Sequence, residues 1–260
     1  MIIWLASYPR SGNSLFRIVL KEVYGWFSAT LYDHPNEPAV EKMRELVGEL
    51  GRQVTLQQMA ASTEIHFVKT HELPSEDGVP AVYLVRDGRD TLVSYAHFAL
   101  ATEEQSGSGR PDDYLRVLHS MVTTNDHFGG WGPHVLAWAQ RQTDTVFVRY
   151  EDLIRHPVAV VRQVLRRLGH GELPAGNRSL PSFDELNRIF PWFFRRGVPG
   201  AWRTDMPEDI QRLFWGRYEA AMRAFGYSEE GALDGQWPMA ARCIGFESAV
   251  AWPPTMFGQS

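Results

Sequence analysis

Cysteine, positive charge and long apolar runs are all scarce in this chain of 260 residues. The single cysteine, Cys243, excludes an internal disulfide framework and a cysteine-rich zinc site. The chain carries 26 Lys and Arg against 31 Asp and Glu, so no global positive field would attract a nucleic acid. Any anion-binding site must therefore be a local cluster of cations.

Membrane segments are also absent from the sequence pattern. No apolar run approaches the roughly 20 residues that a membrane-spanning helix needs. The apolar residues after Met1 are too few for the core of a signal peptide, and no basic segment precedes them. We therefore expect a soluble, cytoplasmic protein without a membrane anchor.

What the sequence does contain is an alternation of short apolar segments with longer segments of helical periodicity. Four short segments, rich in β-branched and aromatic residues, predict buried strands at 2–7, 65–69, 81–86 and 145–150. Apolar residues recur at helical spacing in 14–26, 38–50, 90–101, 131–142, 157–168 and 207–225. This pattern predicts one α/β domain over residues 1–260, with a central parallel sheet of about five strands flanked by helices.

Two further segments are interpreted from composition. Residues 102–113 are polar and glycine-rich, which predicts a surface loop. Residues 228–260 carry several aromatic side chains, which predicts a tail that packs on the domain.

The residues after the first predicted strand form the stretch SYPRSGNS, residues 7–14. Gly12 permits a tight turn, Ser11, Asn13 and Ser14 bring polar groups, and Arg10 adds charge ahead of a helix N-terminus. Such a loop can hold an anion, although an ordinary strand–turn–helix connection is equally compatible with this stretch alone. The Gly-Lys-Ser/Thr of an ATP-binding P-loop is missing.

Polar residues also follow the second and third predicted strands, where ligands of a parallel sheet usually bind. Lys69 and His71 are two residues apart, and His71 is a candidate general base or else a surface residue that caps the turn. Arg86 with Ser94 is a candidate phosphate site, and the alternative is a capped helix with a salt-bridged first turn.

Farther along the chain, Arg195, Arg196 and Gly197 lie between aromatic residues and further glycines. This composition suits a loop folded over a phosphate, and a solvated pair of cations is the alternative reading.

Six stretches, in this order, resemble sulfotransferases that use 3′-phosphoadenosine 5′-phosphosulfate (PAPS). They are SYPRSGNS, FVKTHELP, YLVRDGRDTLVSYAHF, WGPHVLAW, VFVRYEDLIRHP and RRGVPGAW, and the resemblance extends from residue 2 to about residue 227. The resemblance implies a P-loop-like phosphosulfate-binding loop and transfer of a sulfuryl group from PAPS to a small acceptor alcohol, phenol or amine. PAP would be the product, and no metal is required.

The resemblance also implies roles for individual residues. His71 would be the catalytic base, with Lys69 and Arg10 assisting. The donor would be held by Arg10, Ser11, Gly12, Asn13 and Ser14 at the phosphosulfate, by Arg86, Ser94, Arg195, Arg196 and Gly197 at the 3′-phosphate, and by Tyr150 and Phe183 at the adenosine. Arg10 stands where the family usually has Lys, and Leu15 where it usually has Trp.

Two other functions stay open from the sequence. A P-loop kinase acting on a small molecule would bind Mg-ATP, and an inactive PAP- or PAPS-binding protein would bind the nucleotide without chemistry. The aromatic content of the loops at 26–36, 102–113 and 127–131 and of the tail favours an apolar or aromatic acceptor. The pairing motif of many vertebrate members is absent, and the oligomeric state stays open.

Overall fold

The structure is a computed structural model that describes residues 1–32, 37–50, 54–105, 114–170 and 179–233. The strands in these ranges are β1 Ile2–Ser7, β2 Ser28–Thr30, β3 His66–Thr70, β4 Ala81–Val85 and β5 Thr145–Arg149. The helices in them are α1 Asn13–Tyr24, α2 Pro38–Val47, α3 Leu56–Ala61, α4 Gly88–Gln105, α5 Tyr114–Thr123, α6 Trp131–Gln140, α7 Tyr150–Arg155, α8 Pro157–Arg167, α9 Phe183–Ile189, α10 Trp202–Asp205 and α11 Glu208–Ala224.

The five strands form one parallel sheet in the order β2-β3-β1-β4-β5. The central strand β1 pairs with β3 on one side and with β4 on the other, with Ala6 opposite Thr70 and Ser7 opposite Leu84. Because all strands run the same way, their carboxyl ends meet at one edge of the sheet. The predicted α/β fold with a parallel sheet of about five strands flanked by helices is confirmed.

Successive side chains of the strands point to opposite faces of the sheet, and each face has its own core. On β1, Ile3 and Leu5 pack in a cluster with α1 and α8, whereas Ala6 packs on the opposite face with α4, α6 and α11. On β4, Tyr83 belongs to the second cluster and Leu84 to the first. The near-continuous apolar character of these strands follows from burial on both faces.

Local signals set several helix boundaries. Gly12 (φ 103°) immediately precedes α1, and Gly25 (φ 68°) ends it in the left-handed conformation that glycine adopts without strain. Ser182 begins α9 with a capping box, because its hydroxyl accepts the Glu185 N–H while the Glu185 carboxylate accepts the Ser182 N–H.

The structure corrects several predicted elements. The segment expected as a loop at 26–36 contains β2, whose three residues are too few to give a periodic pattern. The helix α4 continues to Gln105, into the loop expected at 102–113, and residues 106–113 of that loop lie outside the described residues. Tyr150 begins α7 instead of ending β5. The other predicted boundaries agree within three residues.

The predicted tail lies almost wholly outside the described residues, because only 228–233 of it are described. Arg89 binds this short part by donating to the carbonyls of Ser228 (2.9 Å) and Glu229 (2.5 Å). The packing of the rest of the tail, and the extension of the domain over all of 1–260, stay predictions. Within the described ranges, no helix combines the length and the apolar character needed to cross a membrane.

Candidate active site

The candidate site lies where the carboxyl ends of β1, β3, β4 and β5 meet. Each of these strands is followed directly by residues that the sequence singled out, among them Arg10, His71, Arg86 and Tyr150. Parallel pairing therefore brings together side chains that are up to 140 residues apart in the sequence.

The loop between β1 and α1 has a backbone that few residues tolerate. Arg10 has a φ of 69° and is the one residue other than glycine with a positive φ among those described. A Cβ on Gly12 would lie 2.8 Å from Cδ2 of Tyr150, so only glycine allows the loop to approach that ring. The loop is thus both strained and closely packed.

Polar atoms of this loop are buried without partners. Within the described residues, neither Oγ of Ser11 nor Oδ1 of Asn13 has a hydrogen-bond partner. The side-chain amide of Asn13 donates to the carbonyl of Leu5 (3.0 Å), and Ser14 lies in the first turn of α1. Buried polar atoms are normally paired, so the unpaired ones indicate a place for a polar ligand.

His71 follows β3, and a hydrogen bond at Nδ1 orients its ring. Its Nδ1 lies 2.7 Å from the carbonyl oxygen of Ser7. Because a carbonyl only accepts, Nδ1 carries the proton and Nε2 keeps its lone pair. Burial, followed by the charge of Lys69, holds the pKa of His71 well below its usual range. The imidazole is therefore neutral at pH 7, as a general base must be.

Lys69 lies at the end of β3 on the same side of the sheet. Burial first, and then the charges of Arg17 and Arg10, lower the pKa of Lys69 to about 7, although Glu49 acts in the opposite direction. Arg17 and Glu49 themselves form a buried ion pair of 2.9 Å. Lys69 can therefore change its charge near neutral pH and responds to any anion placed beside it.

His134 contacts the backbone of His71. No sequence signal singled out His134 as a site residue. Its Nε2 lies 2.9 Å from the carbonyl oxygen of His71, and its Nδ1 lies 2.8 Å from the hydroxyl of Tyr83. The carbonyl requires a proton on Nε2, so Nδ1 accepts from Tyr83. Burial lowers the pKa of His134 to about 4, which keeps this ring neutral.

Arg86, Ser94 and Arg10 form a second group beyond the end of β4. The Nε of Arg10 donates to Oγ of Ser94 (3.2 Å), and Nη1 of Arg86 donates to the carbonyl of Arg10 (3.3 Å). Arg86 stacks on the Tyr150 ring at 4.3 Å, and its buried Nε has no partner among the described residues. Arg10 of the β1–α1 loop therefore contacts both Arg86 and Ser94, the two residues predicted to bind a phosphate.

The guanidinium of Arg10 also lies over the rings of Phe98 (4.8 Å) and Phe193 (4.1 Å), which are perpendicular to each other, and donates to the Phe193 carbonyl. Burial, and then the charges of Arg86 and Arg195, lower the pKa of Arg10. An arginine remains protonated at neutral pH even so, and this cation is therefore permanent.

Arg195, Arg196 and Gly197 lie in the segment between α9 and α10. Arg195 and Arg196 both contact the carboxylate of Asp205, at 2.7 and 3.1 Å. A Cβ on Gly197 would lie 2.2 Å from the Phe183 ring, so this glycine lets the ring pack against the backbone. The structure therefore packs Phe183, the first residue of α9, against the segment that carries the arginine pair.

Asp90 fixes this loop to the helix α4. Its carboxylate accepts the backbone N–H groups of Gly200 (2.6 Å) and Trp202 (2.9 Å) and lies 3.9 Å from Arg86. The sequence placed Asp90 in the first turn of a helix and gave no signal for this contact, because the two segments are more than a hundred residues apart.

Aromatic side chains around the candidate site and in the segments expected to line an acceptor pocket divide into two groups. Trp26 and Tyr24 pack with the core beside α1, and Trp131 is fully buried. Phe98 lies 6.0 Å from Trp192, next to Arg10, and Tyr32 stacks on His71. Within the described ranges, no group of three or more His, Cys, Asp or Glu side chains is placed to hold a metal ion.

Comparison with known proteins identifies the family. A family model described as "Sulfotransferase domain" matches residues 2–226. The chain belongs to the sulfotransferase family. Among curated relatives, it is 23% identical to sulfotransferase 1E1 of Mus musculus, over 84% of this chain and 82% of that protein. It is 25% identical to flavonol 3-sulfotransferase of Flaveria bidentis, over 81% of this chain and 80% of that protein.

A solved structure shares the fold of this sulfotransferase. The mouse sulfotransferase SULT7A1, crystallised with PAP, superimposes with a TM-score of 0.60 at 20% identity and covers 85% of this chain and 83% of its own. The resemblance drawn from the six sequence motifs is thereby confirmed at the level of family and fold.

Proposed function

We propose that this sulfotransferase uses PAPS as its donor and transfers the sulfuryl group to a hydroxyl or amine of a small acceptor, with His71 as general base. The observation that carries the proposal is the bond between Nδ1 of His71 and the Ser7 carbonyl. It leaves Nε2 unprotonated beside Lys69 and the loop that contains Ser11, whose Oγ has no partner within the described ranges. Such a transfer needs a general base, a cation and a loop that binds the anionic donor.

The residues present fit the nucleotide. Ser11, Asn13 and Arg86 each offer a buried polar atom that has no partner among the residues that the structure describes. At Gly12 and Gly197 a Cβ would collide with the Tyr150 or Phe183 ring, so these glycines let the two rings assigned to the adenosine pack against the loop backbone. We assign Ser11, Gly12, Asn13 and Ser14 to the phosphosulfate, Arg86, Ser94, Arg195, Arg196 and Gly197 to the 3′-phosphate, Tyr150 and Phe183 to the adenosine, and Arg10 to the cation that links the two anionic groups.

When bound, PAPS supplies an activated sulfuryl group, and the products are the sulfated acceptor and PAP. Nε2 of His71 accepts the proton that the acceptor loses as its oxygen or nitrogen bonds to sulfur. Lys69 and Arg10 stabilise negative charge that develops on the oxygens of the transferred and leaving groups.

We infer an apolar or aromatic acceptor from the surroundings of His71. The Phe128 ring meets the imidazole edge-on at 5.8 Å, and Leu31 and Leu73, on the segments that follow β2 and β3, expose 38% and 50% of their surface. The name of the flavonol relative agrees with such an acceptor.

A titration followed by a transfer assay tests the proposal. We expect PAP and PAPS to bind and Mg-ATP not to bind in calorimetry, and labelled PAPS to pass its sulfate to members of a panel of phenols, alcohols and amines. Tight Mg-ATP binding would favour the kinase alternative. Binding of PAP without transfer to any acceptor would favour the inactive nucleotide-binding alternative.

His71→Ala sharpens the test. We expect turnover to fall by about two to four orders of magnitude because the base is lost, with PAP affinity little changed. His119→Ala is the matched control, because His119 is exposed on α5. Near-normal turnover in His71→Ala would mean that another group is the base.

A further inference from the structure

Tyr32 contacts the backbone of His71 through its hydroxyl. The backbone N–H of His71 donates to the Tyr32 oxygen at 2.6 Å, and the Tyr32 hydroxyl donates to the carboxyl of Glu72 at 3.1 Å. The hydroxyl thus accepts one bond and donates another, which is the full donor capacity of a tyrosine. Both partners belong to the turn that follows β3.

The ring of the same tyrosine faces the two proposed reacting groups. It stacks on the imidazole of His71, with ring centroids 5.6 Å apart and planes inclined by 23°. The Nζ of Lys69 lies 5.4 Å from the centroid of the Tyr32 ring, within the range of a cation–π contact. One side chain therefore contacts both members of the pair that the transfer uses.

The backbone around Tyr32 connects it to the sheet. Its own N–H donates to Oγ1 of Thr30 on β2 (3.3 Å), and the N–H of Leu31 donates to the carbonyl of Lys69 (3.2 Å). Burial raises the pKa of Tyr32 to about 12, so the hydroxyl keeps its proton at neutral pH and remains a donor. The hydrogen bond to Glu72 is therefore kept at neutral pH, where His71 is also uncharged.

We propose that Tyr32 is a positioning residue that holds His71 and Lys69 in the geometry of the transfer step. The inference rests on the proposed function of that site. Other groups also restrain His71: the carbonyl and hydroxyl of Ser7, the Phe128 ring, and His134 at the His71 carbonyl. Tyr32 contacts both its backbone N–H and a face of its ring, and it also contacts Lys69.

The two halves of the side chain can be separated by substitution. Tyr32→Phe keeps the ring and removes both hydrogen bonds, whereas Tyr32→Leu removes the ring as well. We expect kcat to fall by about tenfold to a hundredfold in Tyr32→Phe and further in Tyr32→Leu, because small misplacements of reacting groups carry costs of this size. The dissociation constant of PAP should change less than about twofold, since Tyr32 contacts none of the residues assigned to the nucleotide.

Tyr24→Phe is the matched control. Tyr24 is on α1, and its buried hydroxyl has no hydrogen-bond partner among the described residues. Removing that hydroxyl should leave kcat within about twofold of the wild-type value. A kcat of Tyr32→Phe equal to that of Tyr24→Phe would overturn the proposal.

A chemical readout is independent of sulfate transfer. We expect diethyl pyrocarbonate to modify His71 several times faster in Tyr32→Phe and Tyr32→Leu than in the wild-type protein, as followed by peptide mass spectrometry, because the imidazole loses restraint. Equal rates in all three proteins would overturn the positioning role. If the wild-type protein transfers no sulfate to any acceptor, the proposed function fails, while the labelling rates still decide whether Tyr32 restrains His71.

Discussion

At the scale of single residues, Lys69 and His71 respond to the same physical effect. Both lose hydration through burial, and desolvation disfavours the charged form of each. The pKa of Lys69 falls to about 7, and that of His71 falls well below its usual range. At neutral pH the site therefore holds a neutral base next to a cation that is partly titrated, which is the combination that the proposed transfer uses.

A bell-shaped pH profile follows from these two shifts. In kcat/KM for PAPS we expect activity to fall at low pH as His71 gains a proton, and to fall above about pH 7 as Lys69 loses one. In kcat the alkaline limb should lie at higher pH, because the anionic donor favours charged Lys69. Initial rates measured against pH check both limbs.

Lys69→Arg is the control for this profile. Arginine stays protonated at all accessible pH values, so the alkaline limb should disappear if Lys69 causes it. An alkaline limb that persists unchanged in Lys69→Arg would assign that limb to another group.

Arg10 makes several contacts that the ammonium of a lysine at the same position could not make together. Its Nε donates to Oγ of Ser94 while its Nη2 donates to the Phe193 carbonyl, and the guanidinium lies over the rings of Phe98 and Phe193. The planar fork can do all this at once, whereas an ammonium is a single point charge. Arg10 therefore connects the β1–α1 loop to α4 and to the segment that carries Arg195.

At the scale of elements, the segment between α9 and α10 depends on α4. Asp90 accepts the N–H of Gly200 in this segment and that of Trp202 at the start of α10, and Arg86 lies beside the same carboxylate. Hydrogen bonds to charged groups contribute about 1.5–3 kcal/mol each. The placement of Arg195, Arg196 and Gly197 is therefore set partly by a residue that is not itself assigned to the nucleotide.

Asp90→Asn tests this dependence. The amide can accept with one oxygen only and carries no charge for Arg86, so we expect the dissociation constant of PAP to rise by about tenfold or more. Calorimetry measures it, and circular dichroism checks that the variant is folded. Asp209→Asn, the same change at an exposed position in the first turn of α11, should leave PAP binding unchanged. Unaltered affinity in Asp90→Asn would contradict the role.

The elements that the sequence predicted are those with strong periodicity or β-branched content, such as β1 and α11. Of those it missed, β2 has three residues and α10 has four, so neither repeats a pattern. The ten-residue α5 was also missed, although its apolar residues recur at helical spacing. Site residues directly after strands were predictable because parallel strands end at one edge. Contacts such as that of Asp90 with Gly200, or of Tyr32 with His71, join distant segments, and no local pattern specifies them.

At the scale of the whole molecule, the residues assigned to the nucleotide come from four separate parts of the chain. They follow β1, β4 and β5, or lie between residues 183 and 197. Ser94 and Arg195 are about a hundred residues apart, and Arg10 lies near both. A ligand that contacts all four parts binds only the assembled fold, so its binding free energy adds to the stability of the fold.

Thermal unfolding with and without nucleotide tests this coupling. At about one hundred times its dissociation constant, PAP should add about 2.7 kcal/mol to the free energy of unfolding, which corresponds to a rise in Tm of roughly 5–10 °C for a chain of this size. AMP, which lacks only the 3′-phosphate, is the matched ligand and should give a much smaller rise at the same concentration, since it cannot engage Arg86, Ser94 and Arg195.

In Arg86→Lys the rise with PAP should shrink towards that with AMP, because the ammonium cannot fork onto a phosphate. Equal shifts with PAP and AMP in the wild-type protein would refute the 3′-phosphate site and leave the phosphosulfate loop to be tested alone.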